Sequence, residues 1–205
     1  MLSSDPRGLA STRTSTVCPW ITVAVPGEEP SLPSPLGPDG GLRFRRGTLL
    51  HRLLQHLPNV APERRFAAAH RWLERTAADL DVEMRARLAA EAFGLLADPA
   101  FAHLFGPESR AEVPLSGMIG SVAVAGQVDR MAVSSDSIYV LDYKTHRQAP
   151  ANESQVPEVY LRQMALYRAL LARVFPGRTV RCVLLWTEGP RIMELSDAAL
   201  DRFAP

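Results

Sequence analysis

Two apolar runs, Val122 to Val133 and Ile138 to Thr145, flank the polar residues Ser134-Ser135-Asp136-Ser137, a pattern that predicts a β-hairpin. A two-residue loop at Ser135-Asp136 and a four-residue loop at 134–137 give the same register. In that register Asp129 lies opposite Asp142 on one face of the sheet. Side chains so placed have Cβ atoms about 4.5–5.5 Å apart, where like charges are destabilising. Strand alternation puts Lys144 on the face of Asp142, in line with Val140 and Ile138. A loop one residue longer or shorter would shift the register and undo the Asp–Asp pairing. A solvated strand end with an ordinary Asp–Lys pair also fits the hairpin taken alone.

Composition adds weight to the chemical reading. Of 23 basic residues, Lys144 is the only lysine and the other 22 are arginine. Arginine is a planar, permanently charged fork, whereas lysine is a compact ammonium whose pKa can be moved. A position that must put a point charge or a mobile proton beside a reacting group has a reason to resist that exchange.

The 205 residues, 46% of them hydrophobic, suffice for one sizeable core. A net charge of +1 gives no global basic field, so any nucleic-acid contact must come from local patches. Cys18 and Cys182 make neither a disulfide framework nor a metal quartet, and a reduced, cytoplasmic setting is expected. No apolar run approaches the roughly 20 residues of a membrane span, so no membrane is expected as a partner. The first residues lack the uninterrupted apolar core of a signal peptide.

Residues 1–42 are expected to be a Pro/Gly/Ser-rich linker or tail, and 43–205 the folded domain. Within the tail, the run after Cys18 could form a short strand. Leu49, Leu50, Leu53, Leu54 and Leu57 mark one face of a helix from about Thr48, stopped by Pro58, with His51 at its margin. Arg43, Arg45 and Arg46 just before it form the densest basic cluster, either a solvated face or a phosphate contact. His56, His70 and His103 read as ordinary surface or boundary residues.

Helices are expected at Pro62 to Ala78, Val82 to Ala97 and Pro99 to Phe105, then a strand from Arg110 to Leu115 carrying Glu112, then the hairpin. A helix from Pro157 to Phe175 carries Gln163 and Tyr167 on one stripe, and Thr179 to Thr187 reads as a buried strand. Arg191 to Leu195 follows as a strand, and Ser196-Asp197 opens a last helix. The class is α/β, a mixed central sheet flanked by helices with an extra helical segment.

Two facing carboxylates suit a hard divalent cation with oxygen ligands, Mg²⁺ or Mn²⁺, which would neutralise their repulsion. Such an ion can acidify water and stabilise a phosphodiester under attack, with Lys144 positioning or deprotonating the water, or balancing charge. No H-E-x-x-H or Cys/His cluster supports zinc, and no G-x-S-x-G elbow supports a serine nucleophile.

Gly126-Gln-Val-Asp129 followed by Asp142-Tyr-Lys144-Thr resembles the core of the PD-(D/E)XK nucleases, in the form found in RecB-type domains. Gly47-Thr-Leu-Leu-His51 resembles that family's amino-terminal helix with its metal-ligating histidine. Gln163-x-x-x-Tyr167 resembles its Q-x-x-x-Y element, and Glu112 matches an acidic position before the hairpin. The runs DYKTHRQAP, YLRQMALYRALL and VRCVLLWTEGP are most similar to the nuclease domains of AddA-type helicase–nucleases.

The resemblance implies a restriction-endonuclease-like fold and metal-dependent exonucleolytic hydrolysis of DNA in double-strand break repair and recombination. It implies His51, Asp129, Asp142 and the Tyr143 carbonyl as metal ligands, with Asp129, Asp142 and Lys144 catalytic. Gln163, Tyr167 and Arg130 would position DNA, and Glu112 would be a further site residue. Partners would be DNA, the helicase region of a longer parent chain and an AddB-like second subunit. The four cysteines of an iron–sulfur cluster are absent from the sequence, so no cluster is expected. The alternative is a catalytically inactive nuclease-fold module that binds DNA or docks.

Overall fold

The computed structural model describes residues 41–120, 122–188 and 191–205, so the expected tail up to residue 40, with Cys18, lies outside the described residues. Helices α1 (Leu42–His56), α2 (Pro62–Thr76) and α3 (Val82–Ala97) come first, followed by strands β1 (Ser109–Ile119), β2 (Val122–Val133) and β3 (Ser137–Gln148). Helix α4 (Glu158–Val174) then leads to β4 (Thr179–Glu188), β5 (Arg191–Glu194) and the short α5 (Asp197–Asp201). The strands form one sheet in sequence order, antiparallel except for the parallel pair β3–β4 that α4 connects. A mixed α/β sheet flanked by helices is the class expected from the sequence.

The central strands are apolar on both faces because both faces are covered. Leu141, Tyr143, Val183 and Leu185 pack beneath α1, α2 and α3 with Leu49, Leu50, Leu53 and Leu54, all buried. Full burial of each such leucine contributes about 1.5–3 kcal/mol. On the opposite face Ile138, Val140, Cys182, Leu184 and Trp186 pack against α4 through Tyr160, Met164, Tyr167 and Leu171. Among the described residues, no helix is long and apolar enough to cross a membrane.

The hairpin closes as a two-residue loop. Val133 pairs with Ile138, and the Ser134 amide donates to the Ser137 carbonyl at 2.8 Å. The register is the expected one, with Arg130 opposite Leu141.

Three local expectations change. Helix α1 begins at Leu42, not near Thr48, and runs through Gly47. Its first turns are anchored by Arg45, which donates to Asp79 and to the Thr76 carbonyl, and by Arg46 on Glu91. These acids from the α2–α3 region neutralise two of the three arginines that could have met phosphates. The helix expected at Pro99 to Phe105 is a turn and a single 3₁₀ segment, Ala102–Leu104. The Asp98 carboxylate accepts from the Ala100 amide and favours the turn instead. Strand β1 runs past Leu115 to Ile119, paired with β2 throughout its second half.

Helix α4 lies so near β2 that glycine is required there. A Cβ on Gly126 would stand 2.7 Å from the Tyr167 hydroxyl, which donates to the Gln127 carbonyl at 3.0 Å. Gly126→Ala is therefore expected to lose about 1–3 kcal/mol through overpacking. Gly94→Ala, in α3 with open space around it, is expected to gain about 0.5–1 kcal/mol from helix propensity. Urea denaturation of the two variants checks the opposite signs.

Candidate active site

Strands β2 and β3 pair only from Arg130 to Val133 and from Ile138 to Leu141. Beyond that they part, and the chemistry-bearing residues gather where they do. The expected Asp129–Asp142 pair would be the next rung, and it is not made. The Asp129 carboxylate instead accepts the Tyr143 amide at 2.6 Å and lies 3.2 Å from His51 Nε2 on α1.

The departure has a local cause. Val128 packs toward α4, while Arg130 donates to the carbonyls of Leu54 and Gln55 on α1 at 2.9 and 3.2 Å. Asp129 also reaches α1, so two consecutive residues engage one layer, which regular alternation forbids. Neutralising Asp129 would therefore weaken its contacts with the His51 ring and the Tyr143 amide as well as its repulsion of Asp142.

Opposite this kink, β1 is distorted as well. Glu112 has φ 54, and it is the one non-glycine with positive φ among the described residues. A residue held there stores on the order of 1–3 kcal/mol, tolerated where surroundings over-determine it. Gln127 donates to its carboxylate, whose other oxygen lies 3.8 Å from His51 Nδ1. Ligand atoms of His51, Glu112 and Asp129 all lie within 4.8 Å of one another. Two carboxylates and an imidazole, each half-buried, could together hold a divalent cation.

Asp142 and Lys144 stand beside this cluster on β3, 6% and 8% exposed, joined in an ion pair. Lys144 Nζ also sits 3.6 Å from the centre of the Tyr160 ring on α4. Burial raises the Asp142 carboxyl pKa, with Lys144 opposing and Asp129 adding to the rise. For Lys144, burial pulls the pKa down, but the charge and hydrogen bond of Asp142 outweigh it and the net direction is up. For His51, burial also pulls down, and Asp129, Glu112 and Asp142 together overcome it, so its pKa is raised.

Tyr143 has its ring edge-on to His51 at 5.2 Å. Gln163 donates to the Tyr167 hydroxyl at 3.1 Å, and Tyr167 in turn holds β2. Arg130 requires a correction. Expected to position DNA, it is fully buried. Besides the α1 carbonyls its guanidinium reaches the hydroxyls of Tyr143 and Ser109 at 3.1 and 2.7 Å and stacks over Phe105. Every reach is to the protein interior. Tyr160 was not singled out from the sequence, and its seven-residue spacing from Tyr167 was the available signal.

The sequence profile of the PD-(D/E)XK nuclease superfamily matches residues 31–202. No curated protein matches the chain. Among solved structures, one described as a presumptive exonuclease from Eubacterium rectale is similar, with 13% identity and a TM-score of 0.39. That match covers 57% of this chain and 48% of the other, so it spans about half of that protein's length. The crystal structure of SSO0001 is similar at 14% identity and TM-score 0.32, over 78% of this chain and 83% of that one. Both scores are low, and membership of a family rests on the profile.

The raised His51 pKa has a testable sign. A group whose pKa rises on folding stabilises fully below its unfolded value, about 6.5, and that contribution disappears as pH climbs through the folded value. In chelator, the stability advantage of wild type over His51→Gln is expected to be full in mild acid and to shrink steadily toward alkaline pH. Urea melts across that range check it; a difference independent of pH contradicts the charged contact with Asp129.

Proposed function

The chain belongs to the PD-(D/E)XK nuclease superfamily, and from that premise we propose that it is a divalent-metal-dependent deoxyribonuclease. The observation that carries the proposal is the conjunction at the parting of β2 and β3. A buried Asp142–Lys144 pair stands beside three clustered potential metal ligands. An acidic cluster alone would be ambiguous; with the chain's single lysine held against it, phosphodiester hydrolysis is the chemistry it suits.

In this reading His51, Asp129, Asp142 and the Tyr143 carbonyl hold Mg²⁺ or Mn²⁺, with Glu112 as a further carboxylate. The bound cation supplies positive charge against the phosphate and lowers the pKa of water. The Tyr143 amide fixes one oxygen of Asp129, so that the carboxylate keeps a constant orientation. Lys144 was open to two tasks, deprotonating water or balancing charge. The geometry favours the second, because an ammonium held against the Tyr160 ring and the Asp142 carboxylate is placed to donate to a phosphate oxygen as negative charge builds there. The Tyr160 ring and Asp142 confine that ammonium to one place. Water adds its oxygen to phosphorus and releases a proton to solvent, one P–O ester bond breaks, and the leaving oxygen takes a proton from solvent. Gln163 and Tyr167 position the strand that carries Asp129, and through it the DNA.

The finer assignment is an exonuclease of the AddA type, the nuclease part of a cytoplasmic helicase–nuclease acting in double-strand break repair and recombination. The runs DYKTHRQAP and YLRQMALYRALL support it. A helicase region and an AddB-like subunit are then its partners, and residues 43–205 its nuclease domain.

Lys144→Arg keeps the charge but places a larger, planar group beside Asp142. It is expected to fold with a loss of about 1–3 kcal/mol from overpacking and to lose about 10²–10³ in single-turnover cleavage of labelled DNA. Excess chelator is expected to abolish wild-type cleavage. Wild-type turnover by Lys144→Arg would remove the lysine from the mechanism, and cleavage in chelator would remove the metal.

A further inference from the structure

A hollow of about 570 Å³ runs along α1 from the candidate site, lined by Phe44, Thr48, Arg52, His56 and, on the site side, His51 and Glu112. We propose that this hollow is the groove for a single DNA strand, with an unpaired base stacked on Phe44 and a phosphate on Arg52. The inference rests on the nuclease reading above.

The helix geometry builds the groove. Phe44, Thr48, Arg52 and His56 are spaced by four and form one inclined row, about 18 Å along the axis at 1.5 Å per residue and winding roughly 120° round it. Gly47, which has no side chain, and the short Thr48 also line the hollow. His51 and Glu112 belong both to the hollow and to the metal-ligand cluster, so a strand lying in it leads to the reacting phosphate.

The side chains are unspent. Phe44 is 49% exposed and makes no ring contact with a described residue. Arg45 and Arg46 are occupied by Asp79 and Glu91, and Arg130 is buried, whereas Arg52 is exposed without a hydrogen bond or ion pair to any described residue. Single-strand binders combine these elements, a cation on the backbone and an aromatic ring under a base. The same elements exclude duplex, because paired bases are stacked on one another and offer no free face to Phe44. The volume agrees: pockets of roughly 300–1,000 Å³ take drug-sized molecules, room for a nucleotide or two.

Fluorescence anisotropy of the full chain in chelator tests the groove, using a labelled oligothymidylate either single-stranded or annealed to its complement. Tighter binding of the single strand is expected. Phe44→Ala and Arg52→Ala should each weaken it about tenfold, and Phe44→Trp should retain it. Arg52→Ala should also lower the slope of log affinity against log salt by about 0.7, one phosphate contact on a single strand. Phe66→Ala, which removes an exposed aromatic on α2 outside the hollow, should bind as wild type does. Wild-type affinity in both Phe44→Ala and Arg52→Ala, or an equal loss in Phe66→Ala, overturns the inference. Cleavage of the same oligonucleotide with Mn²⁺ reads the nuclease proposal separately. Cleavage with undiminished binding in the variants removes the groove and keeps the nuclease; weakened binding in the variants without wild-type cleavage keeps the groove and removes the nuclease.

Discussion

A guanidinium buried in the middle of the molecule, that of Arg130, fixes how α1 sits on the sheet. The carbonyls of Leu54 and Gln55 lie in the last turn of α1, where the helix leaves its acceptors unpaired and its dipole is negative. Arg130 donates to both, and to the side chains of Ser109 on β1 and Tyr143 on β3. A buried charge is tolerable only if so satisfied. The five-donor fork is what allows one residue to reach three elements; an ammonium in its place would leave acceptors unpaired. His51 stands one turn before the capped carbonyls, so its place over the sheet follows from this tie.

The site's geometry is the consequence for β2. With Arg130 committed to α1, the strand has to turn over between Val128 and Arg130, and Asp129 falls at the turn. The strand pairing ends, the Tyr143 amide loses its ladder partner, and the Asp129 carboxylate takes that place. One residue thereby satisfies a backbone donor and faces His51 and Glu112. Lys144 and Asp142 remain on the regular part of β3, under Tyr160. Acidic cluster and ammonium thus approach the same point from two layers of the fold.

Features set by local chemistry were legible in the sequence. The hairpin register followed from turn residues and apolar alternation, α3 was placed to the residue, and β4 showed as a buried apolar run. What the sequence hid depends on tertiary partners. Gly47 reads as a weak point in a helix, yet α1 continues through it because Asp79 and Glu91 hold its first turns. Strict alternation put Asp129 opposite Asp142, and only the pull of α1 on Arg130 explains why it is elsewhere. Arg130 itself, next to an expected ligand, looked like a DNA contact; nothing local distinguishes an arginine that caps a helix in space. Arg52 does not stand out among its neighbours because its distinction is negative, the lack of an acid opposite it among the described residues.

In the proposed function, the parting of β2 and β3 builds a cation site around Asp129. Calorimetric titration of Mn²⁺ into the metal-free protein tests it, with Asp129→Asn compared against Asp136→Asn in the hairpin turn. Saturable binding is expected for wild type and Asp136→Asn, and affinity reduced by about tenfold or more in Asp129→Asn, the loss typical of disturbed metal sites. Binding to Asp129→Asn indistinguishable from wild type would contradict it.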